Sequence, residues 1–343
     1  MSRRSNISSS YLRSFFQGAI SCGVDPQEVL LQCDLDPQTL DNDNQYISLD
    51  EFNRLMSAVG AMLNDETNGF YQRSFPIGTF AMGCHATIDT STLKQAIKRN
   101  LRYYSLFQNG LQGKLLESGD EVRITYKVDN PKNLDEAFIV SSLFIIMIRW
   151  ASWMIDRPLL LDRINLTFEK PAWADVFDDM FPCQQFFNQP TNSIVFNQRF
   201  LDMQTKQTPH SLKEFLNDAP DILLTHYQTD NSLTATIQRM LLKENSVEKL
   251  PFELVAERLF TTTQTLRRRL KEEGNTYQEI KDKVRRNQAI YHLLELKTPI
   301  SQIVALMGFS ESSAFTRAFK KWTGMTPGNY REMHIQEKQN TQQ

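Results

Sequence analysis

The spacing of hydrophobic and polar positions changes along the chain, and this change predicts an α+β region followed by a helical one. Three segments of the first region place apolar side chains at helical spacing: 48–63, 91–107 and about 135–155. Ser48 stands three residues before Glu51, which is the spacing of a helical capping box. Residues 114–128 contain two β-rich runs around a turn at 118–120, which predicts a hairpin. Further short strands are expected at 163–169 and 193–197.

From residue 231 onward the pattern contains only helices and short turns, so the chain divides into parts of different class. The polar stretch 229–231 is the expected boundary before the last domain. The expected parts are an α+β domain (1–205), a helical linker (206–230), a helical domain (231–333) and a polar tail (334–343). We therefore expect two folded domains joined by a connector.

The helical domain contains two copies of one pattern. Residues 255–271 align with residues 304–320 at an offset of 49 without gaps. The aligned pairs include Val255 with Val304, Ala256 with Ala305, Leu266 with Phe315, Arg268 with Arg317, and Lys271 with Lys320. Each copy is predicted to form two helices joined by a turn of about three or four residues, which is the helix-turn-helix motif. Thr261 and Ser310 are the expected N-caps of the second helices, and Gly308 suits a left-handed helix end.

The second helix of the first copy presents one outward face. At ~100° per residue, Arg268 lies opposite the core positions Leu266 and Leu270. Gln264 and Lys271 lie beside Arg268 on the same face. In the second copy the core positions are Phe315, Phe319 and Trp322, and the outward positions are Ser313, Arg317 and Lys320. Arginine can donate two hydrogen bonds to guanine and glutamine can pair with adenine in the major groove, while lysine suits phosphates.

This outward face also has two less specific interpretations. The charged side of an amphipathic helix can be solvated and bind nothing, although two copies in register within a basic domain make that less favourable. Gln264 stands three residues after Thr261, so its side chain could instead fold back onto the helix start in a capping box.

The segment between the two copies sets their separation. Residues 276–296 are predicted to form one continuous helix of ~30 Å, which is close to the ~34 Å repeat of the major groove. Two recognition helices on one chain could therefore reach successive grooves. Four basic side chains of this segment would then lie near phosphates: Lys281, Lys283, Arg285 and Arg286.

Charge is distributed unevenly, although the net charge of the 343 residues is only −2. Residues 1–230 contain 20 Lys and Arg against 28 Asp and Glu, whereas residues 231–343 contain 18 against 12. A basic helical domain can attract a polyanion. The four cysteines match no metal or disulfide spacing, and the N-terminus lacks the apolar core of a signal peptide. The apolar run 138–154 is short for a membrane span and contains Arg149, so we expect a cytoplasmic chain that does not enter a membrane.

Residues 303–331 closely resemble the signature of the AraC/XylS family of bacterial transcription regulators, through "GFS", "FTRAFKKW", "G-x-TP" and the closing "YR". The segment "LVAERLFTTTQTLRRRLKEEG" is similar to the family's first helix-turn-helix. The resemblance implies a unit of about seven helices and an activator that binds promoter DNA and RNA polymerase. The base contacts that it implies are Gln264, Arg267, Arg268, Ser312, Ser313 and Arg317. The phosphate contacts that we expect are Thr261, Lys271, Arg285, Ser310, Lys320 and Lys321.

The first 200 residues resemble, more loosely, the arabinose-binding-like effector domain of an AraC subgroup. That subgroup includes regulators that respond to amino acids such as ornithine and others that respond to hydrocarbons such as alkanes, so the resemblance implies a small-molecule sensor that can also form a homodimer. Sensory pockets are mostly apolar with a few polar anchors. The candidate effector contacts are Phe80, His85, Tyr103, Arg149 and Trp153. Each of these residues could equally be an ordinary part of the core.

Two other classes of function remain to be compared with an effector-controlled regulator. An enzyme fused to a DNA-binding domain would need paired catalytic groups, and the sequence contains no nucleophile elbow, metal cluster, cofactor motif or phosphate loop. An effector-independent architectural DNA-binding protein would have a purely structural N-terminal domain. It would show no change with ligands and little preference for sequence.

Overall fold

The computed structural model describes residues 6–42, 45–129, 133–174, 177, 180–217, 232–243, 250–294 and 297–340, with the backbone alone at 6, 243 and 334–340. The chain forms two compact units: residues 1–181 with 187–230, and residues 231–343 with the segment 182–186. The predicted boundary at 229–231, most of the predicted linker and residues 341–343 of the predicted tail lie outside the described residues. The ends of the four predicted parts therefore stay predictions.

The N-terminal region is an α+β structure, as the pattern predicts. Its described helices are α1 (Ser9–Ser21), α2 (Pro26–Gln32), α3 (Leu49–Leu63), α4 (Thr79–Thr87), α5 (Leu93–Ser105), α6 (Glu136–Met154) and α7 (Pro209–Asn217). Its strands are β1 (Asn6–Ser8), β2 (Tyr46–Ser48), β3 (Leu111–Ser118), β4 (Glu121–Val128), β5 (Leu161–Asn165) and β7 (Asn192–Asn197), and the strand β6 (Gln184–Phe186) lies in the segment that belongs to the second unit. Two short 3-10 helices lie at Pro37–Leu40 and Gln198–Phe200.

Within the first unit the main sheet has the strand order β3-β4-β7-β5. The predicted hairpin is β3 and β4, which pair antiparallel until Ser118 faces Glu121 across a two-residue turn. Strand β4 alternates, because Val122, Ile124 and Tyr126 point into the core while the side chains between them are more exposed. One face of the sheet is therefore available to pack against helices.

Helix α6 is the apolar centre of this region. Asp135 caps its N-terminus by accepting a hydrogen bond from the Phe138 N–H, and Phe144 and Trp150 are almost fully buried. Among the described residues it is the one helix long and apolar enough to cross a membrane, and 61% of that window is buried inside the protein. This burial agrees with the core helix that the sequence predicts.

The C-terminal region consists of seven described helices. These are α8 (Leu233–Lys243), α9 (Phe252–Arg258), α10 (Thr263–Glu272), α11 (Tyr277–Leu294), α12 (Ile300–Leu306), α13 (Ser312–Thr323) and α14 (Pro327–Asn340). The helix predicted between the two copies is α11, one continuous helix of 18 residues or ~27 Å. Its first half contributes Ile280 and Val284 to a core with α8, α9 and α10. Its second half contributes Ala289 and Leu293 to a separate core with α12 and α13.

The gapless alignment of the two copies is wrong for their first helices. In the first copy Val255 and Ala256 are buried, but in the second copy the buried pair is Ile303 and Val304, while Ala305 is exposed. The first helices therefore correspond at an offset of 48 and the second helices at 49, because the second turn contains one more residue. Hydrophobic matches at Val304 conceal this shift, since a one-residue slip still aligns apolar side chains.

Candidate DNA-contact surface and buried cavity

The second helix of the first copy, α10, has the predicted amphipathic geometry. Leu266 and Leu270 are buried in the core of the first motif. Gln264, Arg268 and the adjacent arginines are exposed. One side of α10 is thus fixed by packing, and the opposite side offers an amide and a guanidinium to solvent.

The N-caps of both second helices lie one residue later than predicted. Thr262, rather than Thr261, accepts a hydrogen bond from the Thr265 N–H at 3.2 Å and caps α10. In the second copy Glu311, rather than Ser310, stands at the cap position of α13 and makes no side-chain cap hydrogen bond. With Thr262 as the cap, the third helical position is Thr265, so a capping box does not involve the side chain of Gln264.

Two of the arginines on α10 have neighbours that hold them. The Arg268 guanidinium donates to the Glu272 carboxylate at 3.0 Å, one helical turn away, and both side chains are exposed. The Arg267 guanidinium lies 5.6 Å from the ring centre of Phe252 on α9, a cation–π distance. The first motif therefore presents its guanidinium groups in a partly ordered arrangement.

The outward face of α13 carries Ser312, Ser313, Arg317 and Lys320, and all four are exposed. Phe315 and Phe319 are fully buried on the opposite side of the helix. Within the described part of the chain Arg317 makes no ion pair or hydrogen bond. The guanidinium of α13 thus differs from that of Arg268, which has a carboxylate partner.

The closing "YR" of the family signature has a structural role in this chain. The Arg331 guanidinium donates to the carbonyl oxygens of Leu293 at 3.1 Å and Thr298 at 2.6 Å. The Tyr330 ring packs edge-on against Phe319 at 5.5 Å. These contacts tie α14 to the end of α11 and to the second motif, and so they fix the position of α13.

The expected phosphate contacts do not all reach the surface. Thr261 is partly exposed, and four others are exposed: Lys271, Ser310, Lys320 and Lys321. Arg285 is 9% exposed, and its guanidinium lies 5.3 Å from the ring centre of Phe309. Lys283 on the same helix was also expected near phosphates. Burial lowers the pKa of Lys283 to about 7, with a further contribution from the guanidinium of Arg286. Arg285 therefore stabilises the second motif from inside, and we omit it from the phosphate set.

Replacing Glu272 with glutamine is expected to raise the affinity for any DNA sequence about two- to five-fold, because an exposed ion pair is worth at most ~1 kcal/mol and its carboxylate repels phosphates. Lys321 is the residue at the corresponding position of the second motif. The first motif therefore has a negative charge where the second has a positive one. Fluorescence anisotropy with labelled duplexes would measure the change. Glu28→Gln on α2 removes the same charge elsewhere and is the matched control; equal effects of both variants would contradict a local role for Glu272.

A cavity of about 540 Å³ lies inside the N-terminal unit. Residues of helices α1, α3, α4, α5 and α6, of the sheet and of the end of α7 line it. Its walls are mainly aromatic and aliphatic, and they include the stacked pair Phe70 and Phe138, whose ring centres are 4.8 Å apart. A volume of this size falls in the range of small-molecule sites.

The residues that line the cavity only partly match the sequence-predicted effector contacts. Phe80 lines it. His85 is exposed on α4, Tyr103 donates to the Thr79 carbonyl at 3.0 Å, and Trp153 stacks on Phe215 at 4.2 Å. Arg149 is half-buried and is not among the lining residues.

Sequence reasoning did not select the polar groups that do line the cavity. They include Glu66, Asn68, Tyr71, Tyr104, Tyr126 and Trp150. Only the general richness in aromatic residues pointed to some of them, because which aromatic side chains meet in one cavity depends on how α5, α6 and β4 pack together.

Comparison with known proteins gives matches over both units. A family model described as the N-terminal arabinose-binding domain of AraC transcription regulator matches residues 23–205, and a helix-turn-helix domain model matches residues 255–333. The ornithine utilization regulator of Pseudomonas aeruginosa is 25% identical over 311 residues, covering 90% of this chain and 91% of that protein. The HTH-type transcriptional regulator VqsM of the same species is 41% identical over 76 residues, which are 22% of this chain and 23% of that protein. The crystal structure of transcriptional regulator CdpR, also from Pseudomonas aeruginosa, is 18% identical with a TM-score of 0.31, covering 94% of this chain and 97% of that one.

Proposed function

The chain belongs to the AraC family of transcription regulators, and from this premise we propose that it is a sequence-specific activator controlled by a small molecule held in the N-terminal cavity. It is a DNA-binding regulator and not an enzyme, as its family and its relatives are. Effector control, activation and the contact residues are the parts that we propose.

The observation that carries the proposal is the pair of outward faces on one rigid scaffold. Gln264 and Arg268 on α10, and Arg317 on α13, are exposed opposite buried core positions. Because α11 contributes to the cores of both motifs, the two faces are held on one element. An amide and guanidinium groups on such helices are suited to reading base edges in the major groove. We propose base contacts by Gln264, Arg267, Arg268, Ser312, Ser313 and Arg317, and phosphate contacts by Thr261, Lys271, Ser310, Lys320 and Lys321.

Control by an effector would begin at α7. Leu216 lines the cavity, and its neighbour Phe215 stacks on Trp153 of α6 and lies 6.3 Å from the ring centre of Phe80. Helix α7 is the last described element before the chain continues to the DNA-binding region. A molecule that fills the cavity and favours one position of α7 over another would therefore change the start of the connector. Such a molecule can shift the equilibrium between two positions of α7 only by the difference between its affinities for them.

The proposed partners are double-stranded promoter DNA, RNA polymerase, a small-molecule effector and a second copy of the chain through the N-terminal unit. The proposed location is the cytoplasm. The printed name of one relative refers to ornithine utilisation, so ornithine belongs among the molecules to be tested against this chain. The alternative function is an effector-independent architectural DNA-binding protein.

Selection of genomic fragments by the full-length protein tests the proposal directly. We expect the selected fragments to share a motif with two half-elements about 10 base pairs apart, one helical turn of DNA. The motif should support transcription by bacterial RNA polymerase in vitro, and metabolite fractions should change the yield. Fragments without a common motif, together with no response to any fraction, would favour the architectural alternative.

A further inference from the structure

We propose that the cavity of the N-terminal unit takes an uncharged, largely apolar small molecule with one oxygen-bearing head group, such as an alcohol, and does not take a free amino acid or a carboxylate. The inference rests on the proposed effector control and specifies the chemical class of the effector. It follows from the charge, the polar groups and the walls of the cavity.

The described residues that line the cavity contain no Lys, Arg or His. Their one acidic residue is Glu66, whose two carboxylate oxygens accept hydrogen bonds from the backbone N–H groups of Gly78 and Phe80 at 2.6 and 2.7 Å. Burial raises the pKa of Glu66. An anionic ligand would therefore find no cation in the described lining, and the Glu66 carboxyl group is already stabilised by two backbone N–H groups, so it does not require a cationic ligand. Burying an unpaired charge is costly, so these walls favour a neutral ligand.

Three tyrosine hydroxyl groups provide the neutral head-group site. Tyr71, Tyr104 and Tyr126 all line the cavity, and none of their hydroxyls has a hydrogen-bond partner within the described part of the chain. Burial raises the pKa of each of them well above its usual value. The rings of Tyr71 and Tyr104 both pack against the ring of Phe75, with ring centres 5.6 and 5.7 Å from it, which brings these two side chains to one part of the cavity. The three hydroxyls remain neutral donors and acceptors at physiological pH.

Two further polar atoms have unused hydrogen-bonding capacity. The indole N–H of Trp150, a residue that is 1% exposed, and the side-chain oxygen of Asn68, which is 5% exposed, have no hydrogen-bond partner in the described structure. Both residues line the cavity. Buried polar groups are normally paired, so a donor and an acceptor left open beside a cavity indicate a ligand that carries both functions. A hydroxyl group can both donate and accept a hydrogen bond.

The aliphatic and aromatic part of the lining suits a hydrocarbon body. It includes Met56, Phe52, Ile139, Ile146, Leu143 and Leu216. The volume of about 540 Å³ exceeds what a small polar amino acid would fill. A chain or ring system that buries this apolar surface would gain ~25 cal/mol per Å² removed from water. Leu216 on α7 would belong to its binding surface, so occupancy of the cavity and the start of the connector are joined.

A matched series of probes tests this class with the full-length protein. The probes are 1-decanol, decanoate, decylammonium and ornithine, of which the first three share one alkyl chain and differ in charge. We expect 1-decanol to raise the melting temperature and to bind at least ten times more tightly than the other three in calorimetric titrations at pH 7. Equal or tighter binding of any charged probe, or the absence of binding by 1-decanol, would overturn the proposal.

Hydroxyl-deletion variants locate the head group. Tyr104→Phe and Tyr126→Phe keep the rings, and we expect each to weaken 1-decanol binding at least five-fold. Tyr46→Phe removes a hydroxyl from a side chain that is 59% exposed and outside the cavity, so its binding should match that of the wild type. Unchanged affinity in both cavity variants would contradict the head-group site, and circular dichroism would verify that each variant is folded.

DNA binding measured on the same samples separates this inference from the proposed function. If 1-decanol binds as expected but the affinity for a selected fragment does not change, the ligand class stands and effector control fails. If a charged metabolite changes DNA affinity and 1-decanol does not bind, effector control stands and the ligand class fails.

Discussion

Replacing Arg317 with alanine is expected to lower the affinity for a selected operator by about 5- to 150-fold, or ~1–3 kcal/mol, and to relax the preference at one base position. Arg317 is exposed on α13, and no carboxylate of the described chain neutralises it. In the proposed contact, the loss of this side chain removes up to two hydrogen bonds to a guanine edge without disturbing the core beneath. Anisotropy titrations with the operator and its single-base variants would measure the effect.

Lys320→Ala on the same helix is the matched control for Arg317→Ala. Because a phosphate contact carries no sequence information, we expect it to weaken all duplexes about equally and to reduce the slope of log K against log salt by about 0.9. Unchanged operator affinity in a folded Arg317→Ala variant, or a Lys320→Ala loss confined to one operator, would contradict the assignment of this face.

The Phe315→Ala variant is expected to lose ~3–5 kcal/mol of stability in the C-terminal unit and with it all specific DNA binding. Phe315 is fully buried and packs against both Phe309 and Phe319, with ring centres 5.6 Å from each. Its removal leaves a cavity at the centre of the second motif. Hydrogen exchange monitored by mass spectrometry would resolve the change in the full-length chain, because peptides from 289–323 should exchange much faster.

Phe260→Ala is the matched control, since the Phe260 side chain is 98% exposed in the first turn. We expect its stability to stay within ~0.5 kcal/mol of the wild type, as for other surface changes. Similar losses in both phenylalanine variants would show that burial of Phe315 is not what stabilises the motif.

Local signals in the sequence predicted much of this fold. Ser48 and Glu51 form the capping box that their spacing predicts, with reciprocal hydrogen bonds of 3.3 and 2.6 Å. The hairpin of β3 and β4 forms where the turn residues at 118–120 predict it. These features need only neighbours along the chain, so a single sequence contains the necessary information.

The turns of the two motifs could not be predicted from the local sequence pattern alone. Gly308 has φ 74°, as a left-handed helix end requires, and the corresponding residue of the first turn is Phe260 with φ 50°. The sequence alignment instead paired Leu259 with Gly308, because apolar residues on both sides conceal a one-residue shift. The residue that adopts the left-handed conformation is therefore decided by packing of the first helix, not by its side chain.

The cavity could not be assembled from the sequence for a similar reason. Arg149 stood out as an ion in an apolar helix, yet Trp150 beside it lines the cavity. Which side of α6 faces α3 and which faces the sheet depends on tertiary packing, because this helix is apolar on nearly all sides. Arg285 was likewise indistinguishable from the exposed basic residues around it until its contact with Phe309 was known.

The shared helix α11 sets a rule for insertions and deletions. One residue added between Val284 and Ala289 would rotate everything that follows by ~100° and advance it by ~1.5 Å. The guanidinium of Arg317 would then turn away from the groove that follows the one we propose Arg268 to contact. Side chains on the outward faces of α10 and α13 can be exchanged without altering the relative rotation of these two helices. The length of α11 between them cannot change by a single residue without altering it.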